Sequence, residues 1–247
     1  MIDYGEDFDA LKFNPKPRVI RGSWHYLGMT LTTLPLFPLT TILFPDGLLP
    51  LQIFELRYLN MVKKCIADGT EFGVVAQTVR RDTAAESPTA SEANSPALPM
   101  SQETFTAIGT SAKIISHFVP QPGLIRIDCV GGQRFSIVST RQQTGGLWVA
   151  EVQTIAADLV IPVPAELLEA ATALRHLITT LKSQATEASF MPIAKPYLFD
   201  DCGWVANRWC ELIPMQSAQR HRLLTLDNPL IRLELVQDML LEQGLLR

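Results

Sequence analysis

No stretch of this sequence stays apolar for the roughly eighteen residues that a membrane-spanning helix needs. Its first residues, MIDYGEDFDALKF, have neither the basic start nor the apolar block of a secretory leader. The expectation is a soluble, cytoplasmic protein with no membrane partner. Cysteine is sparse: Cys65, Cys129, Cys202 and Cys210 are scattered, and no two have the spacing of a zinc knuckle or redox motif. They read as small buried hydrophobes in a reducing compartment. The four histidines form no metal-ligand pairing, so neither a metal nor a cofactor is expected. Positive charge is not in excess, with 21 Lys and Arg against 25 Asp and Glu, and no segment is basic. That removes the broad electrostatic footprint of a nucleic-acid binder. The phosphate loop Gly-x-x-x-x-Gly-Lys-Ser/Thr is absent, and so is the Gly-x-Ser-x-Gly turn of many serine hydrolases. Ser116 and His117 are neighbours on an expected strand and point to opposite faces, so they cannot pair as nucleophile and base. Asp200-Asp201 reads as a helix cap sooner than as a metal site.

What is present is a globular composition, 47% hydrophobic over 247 residues, enough to bury a large core without staples. Residues 1–28 show no sustained period and hold the stiff Asn14-Pro15-Lys16-Pro17 stretch; they read as a poorly ordered arm or as the product of an upstream start, since Met29 opens directly onto a patterned segment. Residues 33–54 carry short apolar runs punctuated by Pro35, Pro38, Pro45 and Pro50, which suits short edge or rim strands, with Asp46-Gly47 as a turn. Residues 55–67 switch to helical spacing, with Leu59, Val62 and Ile66 on one face and Gly69 as the stop. A buried strand follows over 71–79. Residues 80–103, rich in Ala, Ser, Thr, Pro and Glu, read as a mobile insertion. Strands resume from 105, with turns expected at Gln121-Pro122-Gly123, Gly131-Gly132 and Gly145-Gly146. Strands spaced in this way predict an antiparallel meander or small barrel.

After Pro162 the period becomes helical. Leu167, Ala171, Leu174, Ile178 and Leu181 form one stripe; Leu198, Cys202, Val205, Trp209 and Leu212 form a second, ended by Pro214. A short helix is expected over 217–226. Asn228-Pro229 caps a last helix that runs to Gly244. The fold class is therefore α+β, a β-rich module over 29–162 followed by a helical bundle over 163–247.

The run LPLFPLTTILFPDGLLPLQIFELRY (34–58) resembles the opening of the Lon protease N-terminal domain family. Pro35, Phe37-Pro38, Phe44-Pro45, Gly47, Pro50, Phe54-Glu55 and Arg57-Tyr58 sit where that pattern has them. Phe72-Gly73, Ile108-Gly109, Gly131 with Arg134-Phe135, and DDCGWVANRWCELIP (200–214, with Asn207) extend the match. The resemblance implies a PUA-like antiparallel β-barrel followed by a helical bundle, the two forming one domain that recognises proteins. It implies unfolded or specific polypeptides as partners, with a separate protease or chaperone receiving them. With no ATPase motif and no room after the bundle for a peptidase, the expectation is a non-enzymatic adaptor or chaperone-like binder. The rival expectation is RNA binding, a common use of PUA-like barrels.

Most of these motif residues read as structural. Glu55 suits the positive start of a helix and should pair with Arg57 or Arg134. At about 100° per residue, Asp201, Trp204, Arg208 and Glu211 fall along one flank of their helix, where Arg208 can stack on Trp204. A Trp beside an Arg is a frequent interface anchor, which makes these four the candidate protein-binding residues. Their alternative reading is a clamp between barrel and bundle within one molecule.

Overall fold

The computed structural model describes residues 31–78, 104–184 and 191–246. The expected N-terminal arm and the 80–103 insertion lie outside the described residues. Six strands pair into one sheet: β1 (Leu31–Leu39), β2 (Leu48–Ile53), β3 (Phe72–Thr78), β4 (Thr104–Gln121), β5 (Leu124–Gln142) and β6 (Trp148–Thr154). Five α-helices accompany them: α1 (Leu56–Asp68), α2 (Leu168–Gln184), α3 (Cys202–Leu212), α4 (Ser217–Thr225) and α5 (Pro229–Glu242). The α+β class stands, with the strands ahead of the later helices as expected.

The pairing order is β2-β5-β4-β3-β1-β6, and β6 also pairs with β5, so the ladder returns on itself. This is not a pure antiparallel meander. β1 and β3 run parallel through Leu36–Leu39 and Gly73–Ala76, because α1 carries the chain back before β3 begins. β1 also changes neighbour midway: Leu31–Pro35 run antiparallel to β6, while Leu36–Leu39 lie beside β3. Each half has a ladder on one side only, which is how a strand holding Pro35 and Pro38 fits inside the order.

The turn expected at Gly131-Gly132 is also corrected. β5 passes through both glycines without a break. The reason they are needed is space: a Cβ on Gly131 would lie 2.1 Å from the carbonyl oxygen of Phe44. The turns at Gly123 and at Gly145-Gly146 are present, all three residues having positive φ.

Three cores form. Leu36, Val75, Phe135, Ala150 and Val152 pack together on one sheet face. Phe135 sits there over Gly73 and Gly109, where a Cβ would come within 2.7 Å of its ring. The other face takes α1, whose Tyr58, Leu59, Met61, Val62 and Cys65 meet Phe37, Ile53, Phe72 and Ile127. Burying each large side chain of this kind stabilises the fold by about 1.5–3 kcal/mol. Gly69, with φ 63°, closes α1 as its position suggested. The third core joins α2, α3, α4 and α5 to Ile42, Phe44 and Ala76 of the strand-bearing half. α5 starts as the sequence indicates, with Asn228 Oδ1 accepting from the Leu230 and Ile231 amides and Pro229 in its first turn.

Candidate functional site

The flank expected to meet a partner lies inside the molecule. Every residue of α3 from Cys202 to Cys210 is buried, Trp204 to 4% exposure and Arg208 to zero. The single apolar stripe was too narrow an expectation, because α3 is covered on all sides. Leu198, placed on that stripe, precedes the helix and is exposed.

The chemistry of this seam follows from its burial. Asp201 caps α3: its carboxylate accepts from the Trp204 amide at 3.1 Å and from the Ile161 amide at 3.3 Å. Arg208 does stack on Trp204, 5.7 Å from guanidinium carbon to ring centre, and Trp204 also meets the edges of Tyr197 and Phe199. Arg208 donates to the carbonyls of Pro45 and Asp46 and to Glu211 Oε1 at 2.7, 2.6 and 2.9 Å. Glu211 in turn lies against Gly47, where any Cβ would meet its carboxylate oxygen at 2.0 Å. Burial pushes the Glu211 carboxyl up to about 8, with Arg208 pulling the other way. Trp204 and Arg208 are thus buried where the two halves meet, while Asp201 and Trp204 also line a hollow of about 370 Å³ beside Gly131 and Asp158.

A second charged network was missed by the sequence reading. Asp158 accepts from Arg134 Nη2 at 3.0 Å and pairs with Arg232 Nη1. Arg134 also donates to the carbonyls of Leu224 and Leu226, and Arg232 to those of Leu223 and Leu226 and to Asn207 Oδ1. Arg134 and Arg232 are 4% and 1% exposed, so both charges depend on these acceptors. One signal was available: Arg232 sits in line with Pro229, Leu233, Val236 and Leu240, a cation inside an apolar stripe.

The remaining motif residues have structural surroundings. Arg57 pairs with Glu55 at 3.0 Å and donates to the Gly146 carbonyl at 3.1 Å, tying α1 to the β5–β6 turn. The Phe37 and Tyr58 rings are 4.1 Å apart. Phe54 is exposed to 70%, and Pro50 and Glu55 are exposed as well. Ser116 donates to Asp128 at 2.6 Å.

A larger cleft lies beside α1. It has a volume of about 680 Å³ and lies between α1, the first half of β1, and β6. Leu34, Pro35, Met61, Leu147 and Val149 give it an apolar floor, while Lys64, Asp68, Glu71 and Arg141 supply charge. A smaller hollow of about 300 Å³, beside Leu56, Arg57 and Asn60, shares Met61, Lys64, Gln143 and Leu147 with it. The two make one elongated groove. Among the described residues neither Lys64 nor Arg141 is engaged in an ion pair. A concave apolar floor with free charges of both signs is suited to binding and places no nucleophile beside a base.

Comparison with known proteins places this architecture. Residues 33–242 match the family model of the ATP-dependent protease La (LON) substrate-binding domain. A crystal structure of a Lon N-terminal domain protein from Xanthomonas campestris is 28% identical, with a TM-score of 0.62, over 84% of this chain and 98% of that one. The N-terminal domain of the Mycobacterium avium complex Lon protease shares the fold at 14% identity and a TM-score of 0.51, over 84% of this chain and 97% of that one. Among curated proteins, cereblon of Danio rerio is 29% identical over 135 residues, 53% of this chain. The matched region spans about a quarter of that relative's length, 27%.

Proposed function

Since the chain belongs to the substrate-binding domain family of the ATP-dependent protease La (LON), we propose that it recognises polypeptides through the groove beside α1 and carries out no chemistry of its own. The returning ladder of β1 and β3–β6 is then the PUA-like barrel of the expectation, and α2–α5 its helical bundle. The protein works as an adaptor or chaperone-like binder in the cytoplasm and passes its cargo to a separate protease or chaperone.

The observation that carries this reading is the contrast between seam and groove. At the seam almost every polar group is spoken for inside the molecule, so it holds the two halves together. At the groove an apolar floor lies open, with Lys64 and Arg141 free at its rim. Surfaces that bind polypeptides combine an apolar centre with a polar rim in this way.

The test is fluorescence anisotropy with a labelled, reduced and carboxymethylated protein as an unfolded probe, beside the same protein in its native form. The unfolded probe should bind and the native form should not. The doubly charge-reversed variant Lys64→Glu/Arg141→Glu should lose roughly tenfold in affinity, a change of about 1.4 kcal/mol, with its melting temperature kept. Absence of binding to the unfolded probe would remove the reading. A salt-dependent shift with RNA in its place would move the protein to the rival class.

A further inference from the structure

We propose that the polypeptide is held as an added β-strand along the open edge of β1, in the row that β3 leaves vacant before Phe72. The inference rests on the polypeptide-recognition reading and names the conformation and class of what is bound.

β1 supplies the edge. Leu31–Pro35 pair with β6 on one side, and on the other side the neighbouring strand is β3, whose pairing with β1 begins only at Leu36 and Gly73. β3 begins at Phe72, three residues after Gly69 turns the chain out of α1 with a left-handed φ of 63°. Among the described residues, no strand fills the row beside the first half of β1. Alternate residues of a strand present their N–H and C=O groups to opposite neighbours, so about half of those on Leu31–Pro35 face this row. Thr32 and Thr33 are exposed, as an unpaired edge requires.

The cleft opens along this row and continues over the β5–β6 side, where Arg141 and Val149 also line it. Thr32, Thr33 and Leu34 line it on one side and Met61 and Lys64 of α1 on the other, with Glu71, just ahead of β3, at its end. Five residues of strand span about 16 Å at roughly 3.3 Å each, a short stretch of extended chain. Its volume of about 680 Å³ lies within the range of preformed ligand sites. The lining charges are two cations, Lys64 and Arg141, and two anions, Asp68 and Glu71, so they favour neither sign of ligand outright. Affinity then comes from main-chain hydrogen bonds, with side chains adding secondary preference. Such a site is tolerant of sequence and strict about conformation. It accepts unfolded or extended segments and rejects helices and closed sheets, whose backbone groups are already paired.

The test uses a short fluorescein-labelled peptide of alternating threonine and valine between lysines, in three forms. One is unmodified, and the other two carry N-methyl groups on alternate residues, each blocking the donors of a different edge. The unmodified peptide should bind. One methylated form should bind within about twofold of it and the other should lose tenfold or more, since each lost hydrogen bond costs about 0.5–1.5 kcal/mol. Exchange at those amides of Leu31–Leu34 that do not face β6 should slow when the peptide is added. Equal behaviour of the two methylated forms would overturn strand addition, and so would slow exchange before any peptide is present at those amides of Leu31–Leu34 that do not face β6, which would show the row already filled. Binding of the carboxymethylated unfolded protein without binding of the peptide would overturn strand addition and leave polypeptide recognition standing. Failure of both probes would take down the two together.

Discussion

Arg208 Nη1 donates to the carbonyl of Asp46 at 2.6 Å, joining a helix of one half to a turn of the other across 162 residues of chain. The same guanidinium serves Pro45 and Glu211. Arg208→Ala would leave the Glu211 carboxyl group and two carbonyls without their donor inside the seam. The expected loss is about 3–5 kcal/mol of unfolding free energy, read from urea titration. Arg208→Lys should recover only part of it, because an ammonium cannot reproduce the planar fork. A loss below 1 kcal/mol would mean the clamp does not hold the halves together.

Asp158 stands between two buried arginines, Arg134 and Arg232. Asp158→Asn leaves both cations undercompensated, and a destabilisation of about 3–5 kcal/mol is expected. Combining it with Arg232→Met should cost clearly less than the two single losses added together, since the double variant removes an otherwise stranded charge. Simple additivity in denaturant titrations would show that the two residues do not act as a unit.

Burial raises the Glu211 carboxyl to about 8, so the native protein keeps a proton that the unfolded chain releases near pH 4.3. The stability contributed by this proton is therefore full below about pH 4, falls as pH rises, and levels off above about pH 8. Glu211→Gln, neutral throughout, should flatten the decline in urea midpoint over that window. An unchanged slope would move the titration to another group.

All four cysteines are buried and free, with Cys129 and Cys210 pushed up to about 12 and Cys202 to about 11 by burial. Thiolate is the reactive form, so a colorimetric disulfide reagent should modify the native protein slowly and all four thiols promptly in denaturant. Rapid labelling of one thiol in the native state would identify a locally open region.

Gly131→Ala should destabilise by about 1–3 kcal/mol or more, because the new methyl meets the Phe44 carbonyl and no flexible side chain can give way. A calorimetric melt at the wild-type temperature would show that the strand and the Phe44 turn can separate.

Local signals explain what could be read from sequence alone. The apolar period of α1 with Gly69, and Asn228-Pro229 ahead of α5, are decided by neighbours within a turn or two. Gly131-Gly132 misled because a glycine needed for close approach looks the same as one needed for a turn, and the Phe44 carbonyl that crowds it lies far away in sequence. α3 misled differently: its polar flank matched a surface face, yet Arg208, Asn207 and Asp201 are polar to meet distant backbone and side-chain groups. The groove was invisible, since Lys64, Arg141 and Pro35 come together only when β1 is shared between two neighbours.

That sharing also sets an order of events during synthesis. The first half of β1 has its ladder with residues 149–153, which leave the ribosome more than a hundred residues later. At about 5–20 residues per second, the nascent chain carries this strand without its partner for roughly 6–24 s. The second half finds β3 much sooner. β1 thus begins in a one-sided parallel pairing with β3, and the ladder closes only after β6 appears, a long-range step of the kind that slows folding.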